Sequence, residues 1–169
     1  MGLLLVGGAL LLPAGPSARA AGPDVRWAER QAGLRETGTT NCSRTINRWV
    51  RAMGLRVPPC RPWCGAFVHQ AFLRGGVRLS SRLIDPDRTY DDIVAGRRKL
   101  RQIPVRSVRR GDLVLFKFRA GVRASHVEIV RGRPGTDGRV PVVGGNVSHR
   151  VELNRRGLQY VVIAARVTG

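Results

Sequence analysis

The hydrophobic period of this chain changes once, and the change falls after Gly111. Upstream, apolar residues recur at helical spacing: Ile46, Trp49, Val50 and Met53, then Cys64, Phe67, Val68, Ala71 and Phe72. Downstream, β-branched and aromatic runs are separated by Gly, Pro, Asn and Asp. Helices first and strands afterwards predict an α+β fold, with N-terminal helices packed on an antiparallel β-sheet. A chain of 169 residues can bury a sizeable core as one domain.

Local signals place the elements. A first helix is expected over 24–35, capped by Asp24. Ser43 caps a second, which Gly54 ends, and Val57-Pro58-Pro59 then forces an extended approach to the next element. The third helix opens at Cys64 and stops at Gly75-Gly76; it is nearly apolar along one side and so should be buried. The stretch 79–106 is charged and weakly patterned, with room for a short helix over 90–97. Strands are expected over 112–118, 126–131, 140–143 and 159–167.

The first residues have the pattern of a targeting segment. Leu3 to Leu12 is an apolar run too short to span a membrane comfortably, and Ala18-Arg19-Ala20 offers a small-x-small cleavage site. No Lys or Arg precedes the run. The expectation is a signal peptide or short N-terminal anchor over 1–20, leaving a secreted or periplasmic, cell-wall-associated domain over 24–169 with no stable membrane span.

Three cysteines suit an oxidising compartment in which two pair and one stays free. The natural division joins Cys42 to Cys60, worth about 3 kcal/mol by chain-entropy reasoning, and leaves Cys64 as the thiol. Three reduced cysteines are the alternative. A zinc site would need a Cys-x-x-Cys pair and a matching histidine cluster, so no metal is expected.

The formal charge of +19 directs the chain toward anionic partners. Lys99 and Lys117 are its only lysines, and an arginine-favouring codon bias accounts for the charge equally well. A nucleic-acid surface would interleave aromatics with the charge. Aromatics are 5% of the chain and fall mostly on apolar faces, so no specific nucleic-acid partner is expected.

Cys64, His126 and Asn146 follow the order of a thiol nucleophile, its base and a group that orients the base. At a helix start, free amides and the positive dipole end favour a thiolate. The N–H of Cys64 is placed to hold an oxyanion, and Gly65 leaves room for a substrate backbone. His126 opens an apolar strand and is the expected base. His69 lies five residues beyond Cys64 and points off its face, and His149 is expected in a solvated turn. Asn146 either holds the second imidazole nitrogen or serves as a turn residue after Gly144-Gly145. Trp63 either lines a substrate groove or packs in the core, and Asp112 caps the turn into the first strand.

Four segments together resemble the CHAP family, the cysteine, histidine-dependent amidohydrolases/peptidases. They are Pro62-Trp63-Cys64-Gly65-Ala66-Phe67-Val68, Arg110-Gly111-Asp112-Leu113-Val114, Ser125-His126-Val127-Glu128-Ile129-Val130 and Gly144-Gly145-Asn146-Val147-Ser148. The likeness runs from about Glu29 to Val151. It implies a papain-like architecture and cleavage of amide bonds in bacterial peptidoglycan through a thioester acyl-enzyme, with no cofactor. Cys64 would be nucleophile, His126 base and Asn146 part of the polar site. Peptidoglycan and anionic wall polymers would be the partners; the alternative is a catalytically inactive wall-binding domain of the same fold.

Two positions depart from the family pattern. Gly144 stands where many members carry Glu, and Glu128 where a small residue is usual. Residues two apart on a strand share a face, so Glu128 should lie on the side of His126. It is expected either to supply the carboxylate that Gly144 lacks or to pair with an arginine.

Overall fold

The computed structural model describes residues 22–55 and 60–168. The targeting segment over 1–20 and the Val57-Pro58-Pro59 stretch lie outside the described residues. Four helices come first: α1 (Val25–Arg30), α2 (Arg44–Ala52), α3 (Cys64–Arg74) and α4 (Pro86–Val94). Six strands follow: β1 (Leu100–Ile103), β2 (Leu113–Phe116), β3 (His126–Val130), β4 (Arg139–Val147), β5 (Arg150–Gly157) and β6 (Val161–Val167). They form one antiparallel sheet in the order β1-β6-β2-β3-β4-β5. The α+β class holds.

The helix starts follow capping chemistry. Asp24 accepts the Trp27 N–H at 2.9 Å and Ser43 that of Ile46 at 3.2 Å. The helix expected over 90–97 begins earlier, because Asp85 caps it and Pro86 sits at its first position. α1 stops at Arg30, short of the expected 35. The chain turns off to pair with β5, where the Gly33 N–H reaches the Val151 carbonyl at 2.9 Å.

β1 and β5 were not expected, and they form the two edges of the sheet. Arg101 and Gln102 face out on β1, while β5 carries Arg150, Arg155 and Arg156. Charged edges resist pairing with other chains, and the same charges hide the strand pattern.

The core sits on both faces of the sheet. Leu113, Leu115, Val127 and Ile129 turn toward α3, whose Phe67, Val68 and Phe72 are fully buried. Trp27, Trp49 and Phe67 pack with ring centroids 5.6–5.8 Å apart. Val114, Phe116, Val130 and Val142 build a second cluster on the other face. A disulfide joins Cys42 to Cys60 across the length of α2, and Cys64 is the free thiol, as the division of cysteines requires. Among the described residues no helix is long and apolar enough to cross a membrane.

Candidate active site

The first residue of α3 and the first residue of β3 meet at the end of the sheet. Cys64 is 3% exposed, and its thiol lies beside the imidazole of His126, itself 7% exposed. The backbone N–H groups of Val127 and Gly65 are also near enough to favour a charged sulfur. The other side of the imidazole meets a carboxylate: His126 Nε2 lies 3.2 Å from Glu128 Oε1. Glu128 is fully buried and clamped from behind by Arg156, whose Nη2 and Nε donate to its two oxygens at 2.8 and 3.2 Å. With the thiol and imidazole ionised, charge would alternate along the row from thiolate to imidazolium, carboxylate and guanidinium.

Burial alone would force each of these groups neutral. For Cys64 burial pushes the thiol up, but the hydrogen bond and charge of His126 and the two backbone amides outweigh it. The thiol ends below its ordinary 9.0. For His126 burial pushes down, and the bonds to Cys64 and Glu128 overcome it, raising the imidazole to about 9. For Glu128 burial pushes up, while His126 and then Arg156 bring the carboxyl below 4.5. Both shifts act in the same direction, favouring the thiolate–imidazolium pair over the neutral one.

Glu128 lies opposite Gly144 in the β3–β4 ladder, one step beyond the Ile129–Val143 pair. A Cβ at Gly144 would lie 2.6 Å from Glu128 Cγ and 2.7 Å from its Oε1. The two positions thus share one site, which holds one carboxylate. Glu128 touches the imidazole and an arginine together, so both of the contacts expected for it are present.

Three expected site residues have other surroundings. Asn146 was expected either to orient the imidazole or to serve as a turn residue; the ring nitrogen is held by Glu128. The Asn146 amide, oriented by its network, donates to Glu36 Oε1 at 3.0 Å and accepts the Trp63 N–H at 3.3 Å. The register breaks between Gly144 and Val147 and Asn146 takes φ 62°, which re-aims its side chain. Trp63 is fully buried rather than lining a groove, and its indole N–H donates to Glu36 Oε1 at 2.8 Å. Gly65 does not open onto substrate space, because a Cβ there would overlap the backbone of Leu83. Its small size seats α3 against the Ser81–Ile84 turn.

Glu36 was missed. It is 6% exposed and follows α1 in a loop without periodicity. Besides Trp63 and Asn146 it accepts the Asn41 N–H at 2.8 Å and meets His149 Nδ1 at 3.1 Å. The carboxylate ties β4 and the 31–41 loop to the start of α3. Phe118 was also missed: it is 57% exposed, stacked on Phe116, with its ring centroid 5.8 Å from that of His126. His69 is 1% exposed, and burial first and Arg78 second lower its imidazole below 6.5, so it is neutral core. Asp112 accepts the Arg109 N–H at 2.8 Å, capping its turn as expected, and it also binds Arg166. Among the described residues no group of three or more His, Cys, Asp or Glu could hold a metal ion. Compared with known proteins, the chain matches no protein-family model and no curated protein.

Proposed function

We propose that this chain is a cysteine amidohydrolase or peptidase of the CHAP, papain-like type, acting outside the cytoplasm on amide bonds of bacterial peptidoglycan. The observation that carries this reading is the buried row Cys64–His126–Glu128–Arg156. A thiolate paired with an imidazolium at a helix N-terminus supplies a nucleophile and a proton donor in one unit.

In the proposed cycle the Cys64 thiolate attacks the scissile carbonyl carbon, and the oxyanion takes the Cys64 backbone N–H. The His126 imidazolium gives its proton to the leaving amine, the C–N bond breaks, and a thioester remains. His126, now neutral, takes a proton from water, whose oxygen adds to the thioester carbon. The carbon–sulfur bond breaks, the product leaves as the carboxylic acid and ionises in water, the thiolate returns, and His126 retains the proton taken from water. Glu128, fixed by Arg156, holds the ring and stabilises its charged form. Asn146 and Glu36 act at one remove, by holding the backbone N–H and the indole of Trp63, just before the nucleophile.

The choice of peptidoglycan is supported by the four motif segments and by the +19 charge, which favours anionic walls. The disulfide and the targeting pattern support an oxidising compartment. The test is mass spectrometry of fragments released from purified sacculi by the wild type and by Cys64→Ala. Release by the wild type alone is expected, and the newly exposed amine names the bond. If neither protein releases fragments while both bind sacculi, the domain is an inactive wall binder.

A further inference from the structure

A cleft of about 430 Å³ opens at the far end of α3, away from the nucleophile. Cys64 opens this 11-residue helix and the cleft lies at Arg74 and Gly75, so the two are about 16 Å apart along the helix axis. Its walls come from the 22–26 segment, the end of α3, the turn before β2 and the end of β6. These walls are pinned together. The Asp24 N–H donates to the Ala71 carbonyl at 2.9 Å, and a Cβ at Gly75 would overlap the carbonyl of Gly22.

Five arginines line the cleft: Arg26, Arg74, Arg109, Arg110 and Arg166. Two are already neutralised, Arg110 by Glu29 and Arg166 by Asp112. The lining carboxylates are engaged as well, since Asp112 binds Arg166 and the Arg109 N–H, and Asp24 caps α1. Arg26, Arg74 and Arg109 make no salt bridge among the described residues. Arg74 is held in place by its guanidinium, 5.4 Å from the centroid of Trp27, with its edge free to donate. The cleft is thus lined by five arginines against two carboxylates, Asp24 and Asp112, in a concavity whose volume suits a small-molecule-sized group.

We infer that this cleft is a binding site for a flexible polyol-phosphate strand, with Arg26, Arg74 and Arg109 holding its phosphodiesters. Arginine forks match phosphate oxygens. A nucleic acid fits less well: the one aromatic residue lining the cleft, Phe72, is fully buried, so no exposed ring offers a platform for a base. A strand held here leaves the Cys64 end of α3 open to a second substrate, so the site would anchor the protein rather than react. The choice of a polyol phosphate rests on the anionic-wall partner of the proposed function but not on amide hydrolysis, so failure of fragment release from sacculi and failure of polymer binding are separate results.

The experiment measures binding of fluorescent poly(glycerol phosphate) oligomers to the full chain at two salt concentrations. The variants are Arg26→Gln/Arg74→Gln/Arg109→Gln and a control, Arg44→Gln/Arg48→Gln/Arg51→Gln, which removes equal charge from the exposed side of α2. The cleft variant is expected to bind about tenfold more weakly or worse, the control within about twofold of wild type. Thermal unfolding of both variants confirms that they fold. Equal weakening by the two would overturn the site in favour of a diffuse field. Absence of wild-type binding would overturn it outright, as would a single-stranded DNA of equal charge binding more tightly and losing more affinity in the cleft variant.

Discussion

The molecule contains two buried glutamates that each meet a histidine, and they do opposite things. Glu128 and Glu36 both have fully buried side chains, but His126 is 9% exposed and His149 53%. Glu128 meets two cationic groups, His126 and Arg156, and lies one residue contact from a thiol. Glu36 meets an indole N–H, a backbone N–H and an amide besides its histidine. The first environment favours charge separation and raises an imidazole to about 9. The second spends its acceptors on scaffold donors. A carboxylate–imidazole pair therefore takes its role from the other groups that touch it.

Substitutions should separate the two pairs. The largest effect is expected from Cys64→Ala, which should abolish fragment release from sacculi. Next, Glu128→Gln should lower kcat/KM by about 100-fold. It should also move the alkaline limb of the pH profile down from about 9 toward the ordinary histidine value of 6.5. Leaving the partly exposed Arg156 without its carboxylate should cost about 1–2 kcal/mol, read by denaturant unfolding. Because the Glu128 carboxyl is lowered in the fold, its stabilisation is full above pH 4.5 and lost as pH falls. His126 is raised, so its contribution is full below 6.5 and lost as pH rises through about 9.

A sharper form moves the carboxylate across the strand pair. Glu128→Gly with Gly144→Glu should recover most of the activity that Glu128→Gly loses, because the two side chains share one space. No recovery, in a variant that folds, would break the claim of interchangeable positions.

The Glu36 pair should respond differently. Glu36→Gln keeps one acceptor oxygen for several donors, so a loss of about 1–3 kcal/mol is expected in unfolding experiments, with the alkaline limb unmoved. A shift of that limb would mean that the pairs are coupled. The smallest effect belongs to His149→Ala, under about 1 kcal/mol, since the ring is half in water.

What the residues disclosed follows from range. Cys64 and the helix behind it were legible because apolar spacing and the glycine stop are local signals. His126 and Glu128 were legible as residues of one strand two positions apart. Arg156 was not, because it lies 28 residues from Glu128 on an edge strand whose arginines mask its period. Nor was Glu36, whose role exists only when β4 and α3 meet over it. Asn146 was named from the order of the three residues and from its place after two glycines; that order does not disclose the bulge and the positive φ that carry its amide to Glu36 and Trp63. Gly144 was legible as a missing side chain, and the cross-strand register explains what fills the gap.

The central claim is that Cys64 is a thiolate held by an imidazolium that Glu128 supports. Its most direct test is an ultraviolet titration of thiolate absorbance, wild type minus Cys64→Ala, repeated with Glu128→Gln. The account predicts thiolate absorbance already present at neutral pH in the wild type, and reduced in Glu128→Gln. Absorbance that appears only near the ordinary thiol value of 9.0, and identically in both proteins, would contradict it.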